Sequence, residues 1–143
     1  MKQPMKLVVI RTGNYVEVIE RASARSLYSD DILGGELDGF LYQKSCLTSC
    51  PIYMTILKYA YRDGLPVNEI ASVFAGHLIF GDAAFCKCDT KPKCVFSSMS
   101  DEEVEWFVNL PREIMQHPEQ YPKIDDLIKT YYQEAYPGYV YLE

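Results

Sequence analysis

The residues of this 143-residue chain that could do chemistry are five cysteines, two histidines and a C-terminal concentration of carboxylates and tyrosines. Cys86 and Cys88 are two apart in a stretch with strand character, so both thiols point to one face, and a hairpin return would bring Cys94 beside them. Three thiolates, completed by Cys46, Cys50 or His77, would make a tetrahedral zinc site. The spacing lacks the paired C-x-x-C knuckles of common zinc folds, and free cysteines filling core space account for it as simply. No other cofactor is expected. A nucleophilic cysteine would need a histidine, and the candidates are His77, opening a strand, and His117, in a loop flanked by proline, with no orienting acid near either. An enzyme is therefore not expected. The glycine-bearing stretches 32–39 and 76–82 lack the Gly-x-Gly-x-x-Gly and Walker patterns, and turn geometry explains them. Lys87, Lys91 and Lys93 form a small cationic cluster that could attract an anionic ligand, although lysines at hairpin tips also keep sheet edges soluble.

The formal charge of −6 is local. Residues 101–143 hold ten Asp and Glu against three Lys and Arg, whereas residues 1–100 hold ten acidic and eleven basic residues. Six of the twelve tyrosines fall in the acidic third, at 121, 131, 132, 136, 139 and 141. Tyrosine offers contact area at low entropy cost, so an acidic segment rich in it has the chemistry of a protein-binding face. Asp101, Glu102, Glu103, Glu105, Glu113, Glu119, Asp125 and Asp126 could imitate nucleic-acid phosphates and occupy a basic groove. An ordinary solvated helical face is the plainer account of some of them, since capping and the helix dipole favour acids in a first turn. Direct nucleic-acid binding is not expected, because no basic stripe exists.

Length fits one domain able to bury about two-thirds of its unfolded surface. The longest apolar runs, such as residues 7–10, are far short of a membrane span or a signal-peptide core. With an odd cysteine count, which suits a reducing compartment, that makes a cytoplasmic protein the expectation.

The elements that must position these groups follow from periodicity. Residues 5–11 and 15–21 read as a β-hairpin turning at Thr12-Gly13-Asn14. Residues 22–31 are ambiguous between short helix and loop, and a short strand follows Gly34-Gly35 at 37–42. Pro51 with Ile52, Ile56, Tyr59 and Ala60 predicts a helix running to Arg62. Asn68 caps a short helix that stops at Gly76. Residues 77–88 predict a buried strand broken at Gly81-Asp82 and paired with 94–97 as a second hairpin. Ser100 to Glu103 is a capping box opening a helix with Val104, Phe107 and Val108 as its buried stripe. Pro111 opens a separate turn or helix, and Ile124, Leu127, Ile128, Tyr131 and Ala135 mark an amphipathic helix ended at Pro137-Gly138, before a β-like tail at 139–142. The expected class is α+β: an antiparallel sheet from the N-terminal and central hairpins, packed with several helices. Residues 1–110 form the core, and 111–143 are an acidic, tyrosine-rich helical extension packed on the same domain.

Several stretches carry a family likeness: Gly-Leu-Pro-Val-Asn at 64–68, Ala-Gly-His-Leu-Ile-Phe-Gly-Asp-Ala-Ala at 75–84, and residues 97–104. Together with Met5-Lys6-Leu7-Val8-Val9-Ile10, Val16-Glu17-Val18-Ile19 and Ile32-Leu33-Gly34-Gly35, they resemble a domain-of-unknown-function family carried by phages and conjugative elements of Firmicutes. The resemblance spans residues 5–108. Members are small accessory proteins without an assigned activity, so it implies a mobile-element origin and a bacterial host cytoplasm, and it supplies no catalytic residue. The chain departs from the family pattern at residues 86–94 and from Pro111 onward. The function expected is that of a phage or mobile-element accessory protein that binds a host bacterial protein, inhibiting a defence nuclease system of the anti-CRISPR or anti-restriction type. The binding residues expected are Glu105, Glu113, Glu119, Asp125, Asp126, Tyr131, Tyr132 and Tyr136. The alternative is a sponge for an anionic nucleotide signal, built on Lys87, Lys91 and Lys93 with stacked tyrosines, as a monomer or a homo-oligomer.

Overall fold

In a computed structural model of the chain, residues 5–21, 33–42, 52–89 and 95–135 are described. Strands β1 (Met5–Arg11) and β2 (Tyr15–Arg21) pair antiparallel with Leu7 opposite Ile19. Gly13 and Asn14 turn the chain between them at positive φ, a conformation these two residue types tolerate. The turn is anchored from outside, since the Asp82 carboxylate accepts the Thr12 N–H at 2.8 Å and an Arg11 Nη1–H at 2.9 Å.

Four further strands, β3 (Leu37–Tyr42), β4 (Ile52–Leu57), β5 (Ala83–Asp89) and β6 (Val95–Ser97), complete one antiparallel sheet. Its order is β2-β1-β5-β4-β3, with β6 also pairing β5. Beyond the end of β6, Ser98 accepts the Lys6 N–H at 2.9 Å and the Met99 N–H reaches the Lys6 carbonyl at 3.1 Å, so β6 extends the line of β1. β1 and β5 are central and apolar on both faces, as strands covered from both sides are. Gly39 in β3 lies against the hydroxyl end of the Tyr53 side chain of β4, which a Cβ would overlap.

Two expectations change here. The helix predicted from Pro51 to Arg62 is strand β4 followed by turns. Ile52 and Ile56 satisfy a helical i, i+4 spacing, yet four is also a multiple of the strand period, and Ile52, Met54 and Ile56 share one face with polar or half-buried neighbours between them. The strand predicted from residue 77 begins only at Ala83. Before it, residues 77–82 fold back so that Asn68 and Ile79, and Val67 and Phe80, pair across a short bridge.

Helix α1 (Glu69–Ala75) is capped by Asn68, whose side chain accepts the Ala71 N–H, and ends at Gly76 in the left-handed conformation. Helix α2 (Asp101–Gln116) opens on the capping box read from Ser100 and Glu103. It does not stop at Pro111 but contains it, so a division between residues 110 and 111 would cut a continuous helix. A 3-10 turn (Pro118–Gln120) then leads to α3 (Ile124–Ala135). The β-like tail at 139–142 and the segment 22–31 lie outside the described residues.

The main core lies between the sheet and α1 and α2: Val8, Ile10, Met54 and Phe85 meet Phe74, Phe107 and Leu110. Phe74, Phe85 and Phe107 pack ring against ring with centroids 4.9–5.4 Å apart. On the opposite face Leu7, Val9, Ala84 and Cys86 form a second, smaller buried cluster.

Candidate functional site

Helix α2 divides its residues by 3.6-residue periodicity into two functional stripes. The inner one buries Glu103, Phe107 and Leu110 against the sheet. The outer one carries Glu102, Glu105, Asn109 and Glu113 along one side of a cleft of about 310 Å³, with Trp106 and Leu110 as its apolar wall and Tyr121, just past the 3-10 turn, facing them. Trp106 is fixed in place by edge contacts to Phe107 at 5.1 Å and Phe74 at 6.1 Å between ring centroids.

The carboxylates of α2 fall into two groups. Asp101 pairs with Lys6 at 2.8 Å, and this hydrogen bond lowers its pKa and raises that of the lysine. Glu103, only 4 % exposed, lies 3.2 Å from Lys87 Nζ on β5, and its Oε1 accepts the Ser100 N–H at 2.8 Å. Burial pushes the Glu103 carboxyl up, but the two hydrogen bonds with Ser100 and the lysine outweigh it, and the group titrates below the ordinary glutamate range. Glu102, Glu105 and Glu113, by contrast, have no ion-pair partner among the described residues. Among the described residues, therefore, no ion pair neutralises the negative charge in the cleft.

Tyr121 also borders a second groove, of about 320 Å³, between α1, α2 and the start of α3, whose lining includes Ile70, Val73, Ile114 and Ile124. An acidic cleft and an apolar groove thus lie on either side of one tyrosine.

The remaining sequence-predicted residues are dispersed. Glu119 is exposed on the 3-10 turn, 3.9 Å from His117 Nδ1. Asp125 edges the apolar groove and Asp126 is exposed beside it. Tyr131 and Tyr132 do not join the carboxylates: Tyr131 packs against Tyr61 and Phe80 at 5.8 and 5.7 Å, with Tyr132 at 5.5 Å, fastening α3 to the body. Tyr136 lies outside the described residues. Among the described residues, the expected carboxylates and tyrosines thus do not line one cavity: Glu105 and Glu113 border the α2 cleft, while Tyr131 and Tyr132 belong to an aromatic cluster on α3.

Lys87 is engaged by Glu103 rather than held out for an anion, while Lys91 and Lys93 lie outside the described residues. Cys86 is buried in the second cluster, and burial pushes its thiol up to about 12, which keeps it protonated at neutral pH. The Cys88 side chain and Cys94, Cys46 and Cys50 lie outside what is described, and among the described residues no group of three or more His, Cys, Asp and Glu is placed to hold a metal. His77 is exposed and His117 closes α2, its N–H on the Glu113 carbonyl at 2.9 Å.

Sequence reasoning named Glu102, Glu105 and Glu113 but missed Trp106 as a wall of the site. The signal was present: positions 102, 105, 106, 109 and 113 repeat at three- and four-residue steps, placing the only tryptophan of the chain among carboxylates. Comparison with protein-family models, with curated proteins and with solved structures returns no match. Among the described residues no helix is long and apolar enough to cross a membrane.

Proposed function

We propose that this protein is a non-enzymatic binding module that captures a basic segment of a partner protein in the acidic cleft of α2. In the mobile-element setting that the sequence resemblance implies, the partner is a host defence protein of the nucleic-acid-binding kind, such as a nuclease system, whose basic groove the chain occupies in place of nucleic acid. The observation that carries this reading is the charge of Glu102, Glu105 and Glu113 on one helical stripe, which no ion pair among the described residues neutralises. Glu102 and Glu105, like charges three residues apart, weaken the helix by about 0.2–0.5 kcal/mol. Glu113 stands near the negative end of the helix dipole, and the last turn of α2 has no basic residue to offset it. Stability alone would favour lysine there. A cationic partner relieves all three carboxylates at once, and the adjoining apolar groove adds surface that such a partner can bury.

The test replaces Glu102, Glu105 and Glu113 together by glutamine and assays a panel of purified restriction and RNA-guided nucleases for inhibition and binding. The wild-type chain is expected to bind and inhibit a member of the panel, more weakly as salt rises, while the triple variant folds normally and loses both effects. Undiminished binding by the variant would remove the cleft from the mechanism. Binding without inhibition of any nuclease would remove the defence role.

A further inference from the structure

We propose that the cleft is a socket for a single arginine side chain of the partner, whose guanidinium lies against Trp106 and Tyr121 while Glu105 and Glu113 accept its N–H groups. This rests on the binding reading above and specifies which chemical group is recognised. Aromatic rings and carboxylates line one cleft of about 310 Å³, at the lower end of the roughly 300–1,000 Å³ typical of small-ligand sites, which admits one side chain but not a helix, and its three glutamates disfavour an anionic nucleotide. Trp106 is already held by Phe74 and Phe107, so little ordering remains to be done on binding.

Arginine and lysine bring the same charge, and the walls discriminate between them. Guanidinium is planar and weakly hydrated, stacks on aromatic faces and forks onto carboxylates, whereas ammonium is a compact, strongly hydrated point charge. The chain makes the same kind of contact internally: the Arg62 guanidinium carbon lies 4.0 Å from the centre of the Tyr59 ring. A purely electrostatic acidic patch would not separate the two cations.

Trp106 is the only tryptophan, so its emission reports on this cleft alone. The experiment titrates the full chain with capped oligo-arginine and oligo-lysine peptides of equal length at physiological ionic strength, following tryptophan emission and, in parallel, heat of binding. Oligo-arginine is expected to change the emission saturably and to bind about tenfold more tightly than oligo-lysine, the scale of one stacked and forked contact. Tyr121→Ala should abolish most of that preference. Glu105→Gln with Glu113→Gln should weaken both peptides, and circular dichroism checks that each variant is folded. Equal affinities for the two peptides, or heat of binding without a change in Trp106 emission, would overturn the socket while leaving an acidic binding face in place. No binding of either peptide would count against both.

Discussion

A charged carboxylate that is almost wholly buried has to be held by its neighbours, and at Glu103 the holding groups can be named. The Ser100 N–H and Lys87 meet Oε1, the Glu103 N–H returns to the Ser100 hydroxyl at 3.1 Å, and Oε2 is buried with no hydrogen-bond partner among the described residues. One side chain thereby closes the N-terminus of α2 and ties that helix to β5. Because its folded pKa lies below the unfolded value of about 4.3, the group stabilises the fold fully above that pH, and the contribution fades as pH falls through the lower, folded value. Glu103→Gln keeps an acceptor for Ser100 but leaves Lys87 without its counter-charge. It is expected to cost about 1–3 kcal/mol at neutral pH, the range for a lost charged hydrogen bond in a mostly buried place. The gap to wild type should narrow as pH falls below the unfolded value, where the unfolded chain takes up the proton first, and close as it passes the lower, folded one. Urea unfolding at pH 7 and pH 3 measures both, and wild-type and variant curves shifted equally at the two pH values would refute the assignment.

The elements are joined by a second buried polar residue. Asn68, fully buried, accepts the Ala71 N–H through Oδ1 at 3.1 Å to cap α1, while its Nδ2 donates to the carbonyls of Ile10 at 2.8 Å and Gly81 at 3.0 Å. One amide satisfies helix α1, the end of strand β1 and the approach to β5. Asn68→Ala should remove the cap, worth about 1 kcal/mol, and leave two buried carbonyls short of a donor at about 1–3 kcal/mol each if water cannot reach them. We expect a loss above about 2 kcal/mol in urea unfolding, whereas an ordinary cap lost without the two carbonyls would cost about 1. The cap itself was readable from Asn68 followed by an apolar run ending at Gly76, and so were the first hairpin and the box at Ser100, because each is encoded within a few residues. The two donations of Asn68 were not, since their partners lie 58 and 13 residues away. β4 misled for a different reason. Its Ile52 and Ile56 fit both periods, and the partners that decide for the strand, β3 and β5, are themselves non-local.

At the scale of the whole molecule the site was half legible. The charge count marked Glu105 and Glu113 without any structure. The cleft itself needed two facts that local patterns do not carry: that α2 continues through Pro111, so residues 102–113 form one stripe, and that the chain folds back at 118–121 to set Tyr121 opposite Trp106. Composition also could not show that Tyr131 and Tyr132 pack in an aromatic cluster on α3 rather than line the α2 cleft. The same charge asymmetry has a consequence for the free protein. With −6 overall and the excess gathered in residues 101–143, folding brings like charges together, and their repulsion opposes the compact state. Raising ionic strength from about 0.01 M to about 0.15 M shortens the screening length from about 30 Å to about 8 Å. Thermal stability of the free chain should therefore rise over that range, even though surface pairs such as Lys6 with Asp101 are weakened, because isolated exposed pairs contribute little. Binding to a cationic partner should fall over the same range, for there the carboxylates attract rather than repel. The glutamine triple variant at 102, 105 and 113 separates the two effects. In calorimetric melts its stability should start higher at low salt and respond less to added salt than wild type. A wild-type melting temperature that falls as salt is added would mean that the acidic third is already balanced within the fold, and the cleft would then lose its electrostatic reason for seeking a partner.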